Sequence, residues 1–512
     1  MSHLASTKKS IAVPVFLSPI PPPKELAISL ERRPSTHRGL LAAILAPTFF
    51  LFQAGSASAQ AQTATVNWTN VHQVIDGFGA GNVFYSSSMS SANQQLFFGT
   101  GSGQLGLSLL RVAVPNNGDS GGFGISCATV STACAGQVVG DMQAIAANGG
   151  RIYATPFSPP TIYTTNGNTV CSLGSPTPGQ LASSHYGDFA TWLSNFTLSV
   201  KAQGVNIFAI DVQNEPNGCW QSDSSQYSAS QLDNFIKNNL GPTISGNGTG
   251  TIILMPEPNV YSLLSSLGGT CATDAACNNF LGGYNFHDYG ASESGTTVSS
   301  TPLPGGWSTS KKYWMTEVSC FTNGSSPAGP SWCPGTGFHG SMSDGLNWAS
   351  FIDQRMQDSL NAVMYWWLIS KDPDDEGLMS NDGVTVAKRA YVFGQYSKFI
   401  RPGYYRIDAT HLPQTGVSVS AYQNTPSNTL VIIATNYTGS AMPQTFNLTN
   451  APTFSTLTPT ITSANLSLAA QSNVSVTGNS FTYTLPANSI TTFVGSASTP
   501  AAPTNLSGTV VQ

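Results

Sequence analysis

Glutamate is scarce in this 512-residue chain, and two glutamates follow apolar runs that are typical of β-strands. Glu215 stands in "AIDVQNEPNG" and Glu317 in "KKYWMTEVSC", so each lies where a strand is expected to end. A single glutamate in such a place is more often a solvated loop residue. Two carboxyl groups facing one cleft can instead cleave a glycosidic bond, one as acid/base and the other as nucleophile, about 5–5.5 Å apart. The sequence therefore predicts Glu215 and Glu317 as a catalytic pair.

The elements that must position this pair form a repeating pattern between about residues 75 and 370. Helical stripes, for example over 186–203 and 344–360, alternate with eight short apolar runs. The runs are "VIDGFGAG", "LGLSLLRVAVP", "RIYATPFSPP", "NIFAIDVQNEP", "GTIILMPEP", "GGYNFHDYG", "KKYWMTEVSC" and "NAVMYWWLIS". Strands separated by helices indicate parallel β-α-β units, and eight of them predict a (β/α)8 barrel. Several runs end in polar residues, and the carboxyl ends of barrel strands carry the active site.

The chain changes character after about residue 400. Segments such as "GVSVSAYQ" and "TLVIIATNYT" alternate and are rich in Val, Thr and Ile, which predicts an antiparallel β-sandwich. We expect residues 60–75 to form strands that join this sandwich. The predicted domains are a catalytic barrel over 76–398, a β-sandwich over 399–496 and a linker-like tail over 497–512.

The first 59 residues have the pattern of a secretory signal peptide. Basic residues precede the apolar run "LLAAILAPTFFLF", and Ala57-Ser58-Ala59 offers a cleavage site. The run is short for a membrane span, so we expect a secreted or periplasmic protein with no membrane attachment after processing. Removing this segment takes away six basic and two acidic side chains, so the mature chain is more negative than the formal −5 of the whole sequence. This charge argues against a nucleic-acid partner.

Eight cysteines in a chain with an export signal predict disulfides. Three pairs are close in sequence, Cys127/Cys134, Cys271/Cys277 and Cys320/Cys333, which leaves Cys171 and Cys219, and the connectivity stays open. No C-x-x-C or H-E-x-x-H motif occurs, so we expect no metal and no cofactor. We also expect a monomer.

Beyond single residues, long stretches resemble glycoside hydrolase family 30. "DVQNEPNG" and "YWMTEVSC" are similar to the acid/base and nucleophile motifs of that family, and the resemblance runs from about residue 63 to 496. It includes "IDGFGAG", "PFSPPTIYTTNG", "YNFHDYG", "VMYWWLI" and "YSKFIRPGYYRIDAT". The resemblance implies a retaining hydrolase of β-linked polysaccharide on a barrel with a side sandwich.

The resemblance also implies roles for individual residues. Glu215 is the expected general acid/base, and Glu317 the expected nucleophile, with Arg111 holding it ionised. Further residues are expected to contact the sugar or the nucleophile, namely Asn214, His287, Tyr289, Trp220 and one of Trp366 and Trp367. Only one of these adjacent tryptophans should face the cleft, because neighbouring strand residues point opposite ways. Glu257 is expected to have a structural or rim role.

The polysaccharide is predicted from the loop "SKDPDDEG" after the eighth run. Glucuronoxylan-specific members of the family carry arginine there, whereas this loop has Lys371 among four acids and a net negative charge. Its spacing is a weak match to a calcium site, and we expect a solvated acidic loop. We therefore predict an endo-β-1,4-xylanase without strict glucuronate dependence, with β-1,6-galactan or β-1,6-glucan as the alternative substrate.

Two other classes compete with this interpretation. Gly118-Asp119-Ser120-Gly121-Gly122 matches the nucleophile motif of trypsin-like proteases, but only His72 precedes Ser120 in the mature chain as a general base. The flanking residues favour a loop on both sides, not a nucleophile elbow. A non-catalytic carbohydrate-binding protein would not need both Glu215 and Glu317.

Overall fold

The computed structural model describes residues 62–116, 127–171, 179–220, 223–293, 295–297, 299–323 and 326–497. The predicted signal peptide, Ser120 and the tail from residue 498 lie outside the described residues.

Eight parallel strands close into a barrel, which confirms the predicted fold class. In chain order they are Gly77–Gly81, Leu109–Val114, Arg151–Pro156, Ile207–Asp211, Ile252–Pro256, Leu281–His287, Lys312–Glu317 and Ala362–Ile369. The eighth strand pairs with both the seventh and the first, so the ring has no open edge. Seven of these strands lie within a predicted run, and the sixth begins one residue before its run, at Leu281. Their near-continuous apolar character follows from burial on both faces, inside against the barrel core and outside against helices.

Helices fill the connections between the strands. The α-helices are Ser91–Phe98, Val139–Ala147, Tyr186–Ala202, Ala229–Phe235, Gly241–Gly246, Leu264–Thr273, Ala275–Asn278, Met342–Gln357 and Lys388–Ser397. A π-helical turn covers Ile236–Leu240, and 3-10 turns cover Ala133–Ala135, Thr161–Tyr163, Ser183–His185 and Tyr261–Leu263.

The helix predicted over 344–360 begins and ends earlier than the periodicity indicated. Its N-cap is Ser341, whose hydroxyl accepts from the Asp344 amide, and a serine at this position satisfies an end amide that the helix leaves unpaired. The helix ends at Gln357, and Ser359 has a φ of 68° that a continuing helix does not allow.

The second region is a β-sandwich with its own apolar core, centred on Phe446, Phe481 and Phe493. Its strands are Gln62–Val74, Tyr405–Ala409, Val417–Asn424, Thr429–Asn436, Met442–Thr449, Thr456–Thr462, Ala469–Ala470, Val474–Ser475, Ser480–Leu485 and Ser489–Ser496. The pairing is antiparallel except between Gln62–Val74 and Met442–Thr449, which run parallel. The N-terminal strand thus lies inside the sandwich sheet, where it also pairs with Tyr405–Ala409.

The last barrel helix, Lys388–Ser397, joins the sandwich to the barrel. The Lys388 ammonium donates to the Leu466 carbonyl and the Ser467 hydroxyl, both at 2.9 Å. Thr492 of the sandwich donates to the backbone carbonyl of Gln395 at 3.0 Å. These contacts fix the sandwich against the outside of the barrel.

Four disulfides are present, and two of them brace loops on the catalytic side. Cys171–Cys219 ties the loop after the third strand to the loop after the fourth, and Cys320–Cys333 closes the loop after the seventh. Cys127–Cys134 and Cys271–Cys277 are local links. In the part of the chain that the structure describes, no helix has the length and apolarity needed to cross a membrane.

Candidate active site

A cavity of about 470 Å³ opens at the carboxyl ends of the barrel strands. This volume is in the range of a small-ligand site. The lining residues are Phe84, Phe157, Asn214, Glu215, Trp220, Asp223, Asn259, Tyr289, Glu317, Phe321, Trp366 and Glu376. The structure thus brings six of the residues predicted from the sequence into one cavity wall, while Arg111 and His287 lie buried next to it.

Glu215 and Glu317 reach the cavity from different elements. Glu317 is the last residue of the seventh strand, whereas Glu215 follows the fourth strand in a turn and has a φ of 43°. This left-handed backbone turns the chain out of the strand direction, and the Glu215 carboxyl lines the cavity. Carboxylate oxygens of the two residues and Nδ1 of His287 all lie within 4.8 Å of one another.

Glu317 is held by Arg111 and by the Tyr289 hydroxyl, and Nδ1 of His287 lies 3.6 Å from its Oε1. The Arg111 guanidinium contacts Oε2 directly, and the Tyr289 hydroxyl donates to Oε1 at 2.7 Å. Arg111 is fully buried and also donates to Oδ1 of Asn214 at 2.7 Å. Burial raises the pKa of Glu317, and the positive charges of His287 and Arg111 oppose that rise. The contact with Arg111 agrees with the expected role of this residue.

His287 sits between three carboxylates and is fully buried. Its Nδ1 lies 2.9 Å from Oε1 of Glu215, and its Nε2 lies 3.2 Å from Oε1 of Glu257. Burial alone would lower the pKa of His287, but Glu317, Glu215 and Glu257 together raise it to about 9. The imidazole is therefore positively charged at neutral pH.

Glu257 belongs to the floor of the site, not to its rim. Its side chain is fully buried, and its pKa stays well below the usual range because Arg111 and His287 outweigh the effect of burial. Its burial excludes a place at the rim, and a structural role stays a prediction. A strand-end glutamate can point up to solvent or down into the barrel, and the residue type alone does not reveal which.

Only one of the two adjacent tryptophans lines the cavity, as predicted, but their side chains do not point opposite ways. Their rings stack at 4.9 Å with an interplanar angle of 23°, and Trp366 alone of the two lines the cavity. The pairing register shifts between Tyr365 and Trp367, opposite the first strand, so the regular alternation breaks there. Trp367 instead contacts Tyr85 edge-on behind the cavity wall. Trp220 lines the cavity as expected.

Six residues of the cavity wall were missed by the sequence analysis. They are Phe84, Phe157, Asp223, Asn259, Phe321 and Glu376. Phe157 directly follows the third strand and Asn259 directly follows the fifth predicted run, so their positions could have indicated a place at the cavity. Phe321 begins the short strand Phe321–Asn323, which pairs with Ser326–Ala328, and the other three come from loops whose path no local pattern reveals.

The loop after the eighth strand is not a uniformly solvated acidic loop. Asp375 is buried, where it pairs with Arg389 at 3.0 Å and with His339 at 2.7 Å. The next residue, Glu376, lines the cavity, and burial together with Asp374, Asp372 and Glu317 raises its pKa to about 8. The acidic charge of this loop is thus divided between an internal ion pair and the cavity wall.

A hydrolase of glycosidic bonds is the class of protein that such a barrel and such a carboxylate pair define. Residues 139–303 match the glycosyl hydrolase family 30 TIM-barrel domain, and residues 403–493 match the glycosyl hydrolase family 30 beta-sandwich domain. The chain belongs to glycosyl hydrolase family 30.

Individual relatives agree with this membership. The chain is 31% identical over 439 residues to glucuronoxylanase XynC of Bacillus subtilis, covering 85% of this chain and 92% of the relative. It is 25% identical to an endo-1,6-beta-D-glucanase of Neurospora crassa, covering 72% of each chain. Among solved structures, a family 30 subfamily 8 xylanase of Clostridium acetobutylicum aligns with a TM-score of 0.70 and 29% identity, over 85% of this chain and 100% of that one.

Proposed function

We propose that the protein is a retaining endo-β-1,4-xylanase that does not depend strictly on glucuronate decoration. The observation that carries the retaining reaction is the approach of Glu215 and Glu317, whose oxygens lie within 4.8 Å. Retaining enzymes hold their two carboxyl groups about 5–5.5 Å apart, whereas inverting enzymes leave room for a water at about 6.5–9.5 Å.

The reaction proceeds in two displacements. The Glu317 carboxylate attacks the anomeric carbon while Glu215 gives its proton to the departing glycosidic oxygen, which yields a glycosyl ester on Glu317. Glu215, now ionised, takes a proton from water as that water attacks the same carbon, and Glu317 leaves as a carboxylate. The buried cations Arg111 and His287 stabilise Glu317 as the negative charge returns to it.

Two neighbours complete the glycone site. Asn214 uses its Oδ1 to accept from Arg111, so its amide NH₂ is the group left to bind the sugar 2-hydroxyl. Trp366 lines the cavity beside Phe84 and Phe157, with ring centroids 6.3 and 6.1 Å away. Aromatic side chains of this kind suit the C–H groups of a pyranose ring.

Xylan is the favoured substrate because two of the relatives are xylanases by name and because of the charge of the cavity wall. Among the described residues, the wall carries four carboxyl side chains and no lysine or arginine. Glu376 keeps its proton below about pH 8, where it can donate to a sugar hydroxyl, and becomes a carboxylate above that pH, where it repels an acidic substituent. The ammonium of Lys371 lies over the rings of Tyr85 and Phe84 at 5.4 and 5.6 Å.

A β-1,6-glucan or β-1,6-galactan is the second candidate, supported by the endo-1,6-beta-D-glucanase relative. A carbohydrate-binding protein without activity is a third, and it is disfavoured by the intact carboxylate pair.

Product analysis separates these candidates. The purified protein is incubated with linear xylan, glucuronoxylan, β-1,6-glucan and β-1,6-galactan, and the products are resolved by chromatography. We expect a mixed ladder of xylo-oligosaccharides from both xylans at comparable rates. Strict dependence on glucuronoxylan would refute the specificity proposal, products from a β-1,6-glycan alone would support the second candidate, and no products from any substrate would support the third.

We also propose that the protein is exported and monomeric. Four disulfides support an oxidising compartment, because such bonds persist outside the cytosol. Detection of the processed protein in the medium or periplasm tests export, and light scattering on the purified protein tests the monomer.

A further inference from the structure

We propose that Glu257 is a positioning residue for both catalytic glutamates, holding Arg111 and His287 through its carboxylate and the Glu215 backbone through its carbonyl. The inference rests on the proposed function, because it concerns how the pair Glu215 and Glu317 is kept ready for the two displacements. Glu257 lies beneath the pair and does not line the cavity.

The carboxylate of Glu257 faces two cations and two hydroxyls. Its Oε1 lies 3.2 Å from Nη2 of Arg111 and 3.2 Å from Nε2 of His287. The hydroxyls of Tyr153 and Thr155 donate to it at 2.6 and 3.2 Å. Arg111 contacts Glu317 on its other side and His287 contacts Glu215, so one carboxylate fixes the partners of both catalytic residues.

The backbone of Glu257 makes a second connection. Its carbonyl accepts from the Glu215 amide at 3.1 Å, and its own amide donates to the Asn285 carbonyl at 3.1 Å. Glu215 and Glu257 both have left-handed φ values, 43° and 54°, which cost about 1–3 kcal/mol each in residues other than glycine. Such conformations persist when the surroundings determine them, and here the two strained residues are hydrogen-bonded to each other.

The charges of the buried cluster balance when Glu257 is included. Arg111 and His287 carry two positive charges, and Glu257 and Glu317 carry two negative ones. Asp211 also lies in the cluster, where burial and the neighbouring Glu257 raise its pKa well above the usual range. Without Glu257 the cluster would hold one excess buried positive charge, and the imidazolium of His287 would lose its proton more easily.

The test compares two buried glutamates that differ in their partners. Glu257→Gln removes the charge at the floor of the site, and Glu293→Gln removes one from the cluster around Arg355, where Asp288 and Asp358 remain as partners. Both side chains are fully buried. For Glu257→Gln we expect kcat on xylan to fall about 10–100-fold with KM nearly unchanged, and the alkaline limb of kcat/KM to move to lower pH by about one unit. For Glu293→Gln we expect a lower Tm and an unmoved alkaline limb.

The proposal would be overturned if Glu257→Gln lowered Tm as the control does but kept the kcat and the alkaline limb of the wild type. Glu257→Asp keeps the charge, and we expect it to keep the alkaline limb of the wild type. NMR titration of the His287 imidazole in the unmodified protein gives an answer even if the variants do not fold. Its resonances should report a cation up to about pH 9, and titration near the ordinary value of 6.5 would contradict the proposal. This readout needs no substrate, so it is distinct from a failure of the proposed function, which appears as absent products in the wild type.

Discussion

The floor and the outer wall of the cavity are built in different ways. The floor (Arg111, Glu257, His287 and Glu317) comes from residues in or directly after barrel strands, and each of these residues is 5% exposed or less. The outer wall (Phe84, Trp220, Phe321 and Glu376) comes from residues beyond the strand ends, and none of its four residues is fully buried.

This difference separates the chemistry from the choice of substrate. The floor is a closed set of ion pairs in which each charge depends on its neighbours, so a change there alters the reaction itself. The wall contacts parts of the sugar chain away from the reacting bond, so a change there alters which chain is bound. Variants in the two regions should therefore differ in the kinetic parameter they affect.

The largest effect is expected at the floor. Glu317→Gln removes the attacking carboxylate and should lower kcat by more than about 10⁴-fold, since loss of a nucleophile eliminates the covalent route. Glu215→Gln should lower kcat about 10²–10⁴-fold on substrates with poor leaving groups. Steady-state kinetics on xylan measures both. Ser120→Ala is the control, and an inactive Ser120 variant beside active glutamate variants would refute the assignment of the site.

The second largest effect is expected for the disulfide that braces the loops of the cavity wall. Replacing Cys171 and Cys219 by serine opens a link of 48 residues, worth about 4 kcal/mol on the chain-entropy scale, and frees the turn that precedes Trp220. We expect a lower Tm and a raised KM with kcat little changed.

The matched control removes Cys271–Cys277, which spans 6 residues and is worth about 2 kcal/mol on the same scale. It joins two helices outside the cavity wall, so it should lower Tm less and leave KM unaltered. Equal changes in KM for the two double variants would show that Cys171–Cys219 has no special relation to the wall.

A third prediction uses the raised pKa of His287 to test the floor. A histidine that is protonated in the folded state up to about pH 9 adds stability that is complete below its ordinary pKa of 6.5 and is lost as the pH rises through 9. The difference amounts to about 3 kcal/mol. Thermal unfolding between pH 6 and 10 should show this loss in the wild type and not in His287→Asn. Parallel curves for the two proteins would mean that His287 is not a buried cation.

The smallest effect is expected at the wall. The ratio of activity on linear xylan to activity on glucuronoxylan should rise about threefold between pH 6 and 9, as Glu376 ionises near pH 8 and repels the acidic decoration. Glu376→Gln should flatten this dependence, and Lys371→Gln should leave the slope in place. If the ratio stayed constant with pH in the wild type, the ionisation of Glu376 would not influence the choice of substrate.

The floor could be largely predicted from the sequence because polar residues that close or interrupt an apolar strand are easy to recognise. Arg111, His287 and Glu317 each close or interrupt an apolar run, and parallel strands bring such positions to one face of a barrel. The roles of these residues came from the resemblance to the family. The depth of Glu257 could not be predicted, since an identical pattern fits a side chain directed into the barrel and one directed to solvent.

The wall was predictable only in part, because loop residues show no hydrophobic periodicity that would indicate where their side chains point. Asp375 and Glu376 are adjacent and of one charge type, yet one is paired inside the protein and the other lines the cavity. Trp366 and Trp367 show the same difficulty within a strand. A shift in the pairing register there prevents the two side chains from pointing to opposite faces. In both cases the tertiary pairing decides the direction of a side chain, and the local sequence does not contain that information.

Covalent labelling of the nucleophile tests the central claim most directly. A 2-deoxy-2-fluoro-β-xylobioside with a good leaving group slows the second displacement and traps the glycosyl-enzyme. Peptide mass spectrometry should place one fluorosugar on Glu317 in the wild type and none in Glu317→Gln. A label on any other residue, or turnover with no trapped ester and inverted product stereochemistry, would contradict a retaining reaction through Glu317.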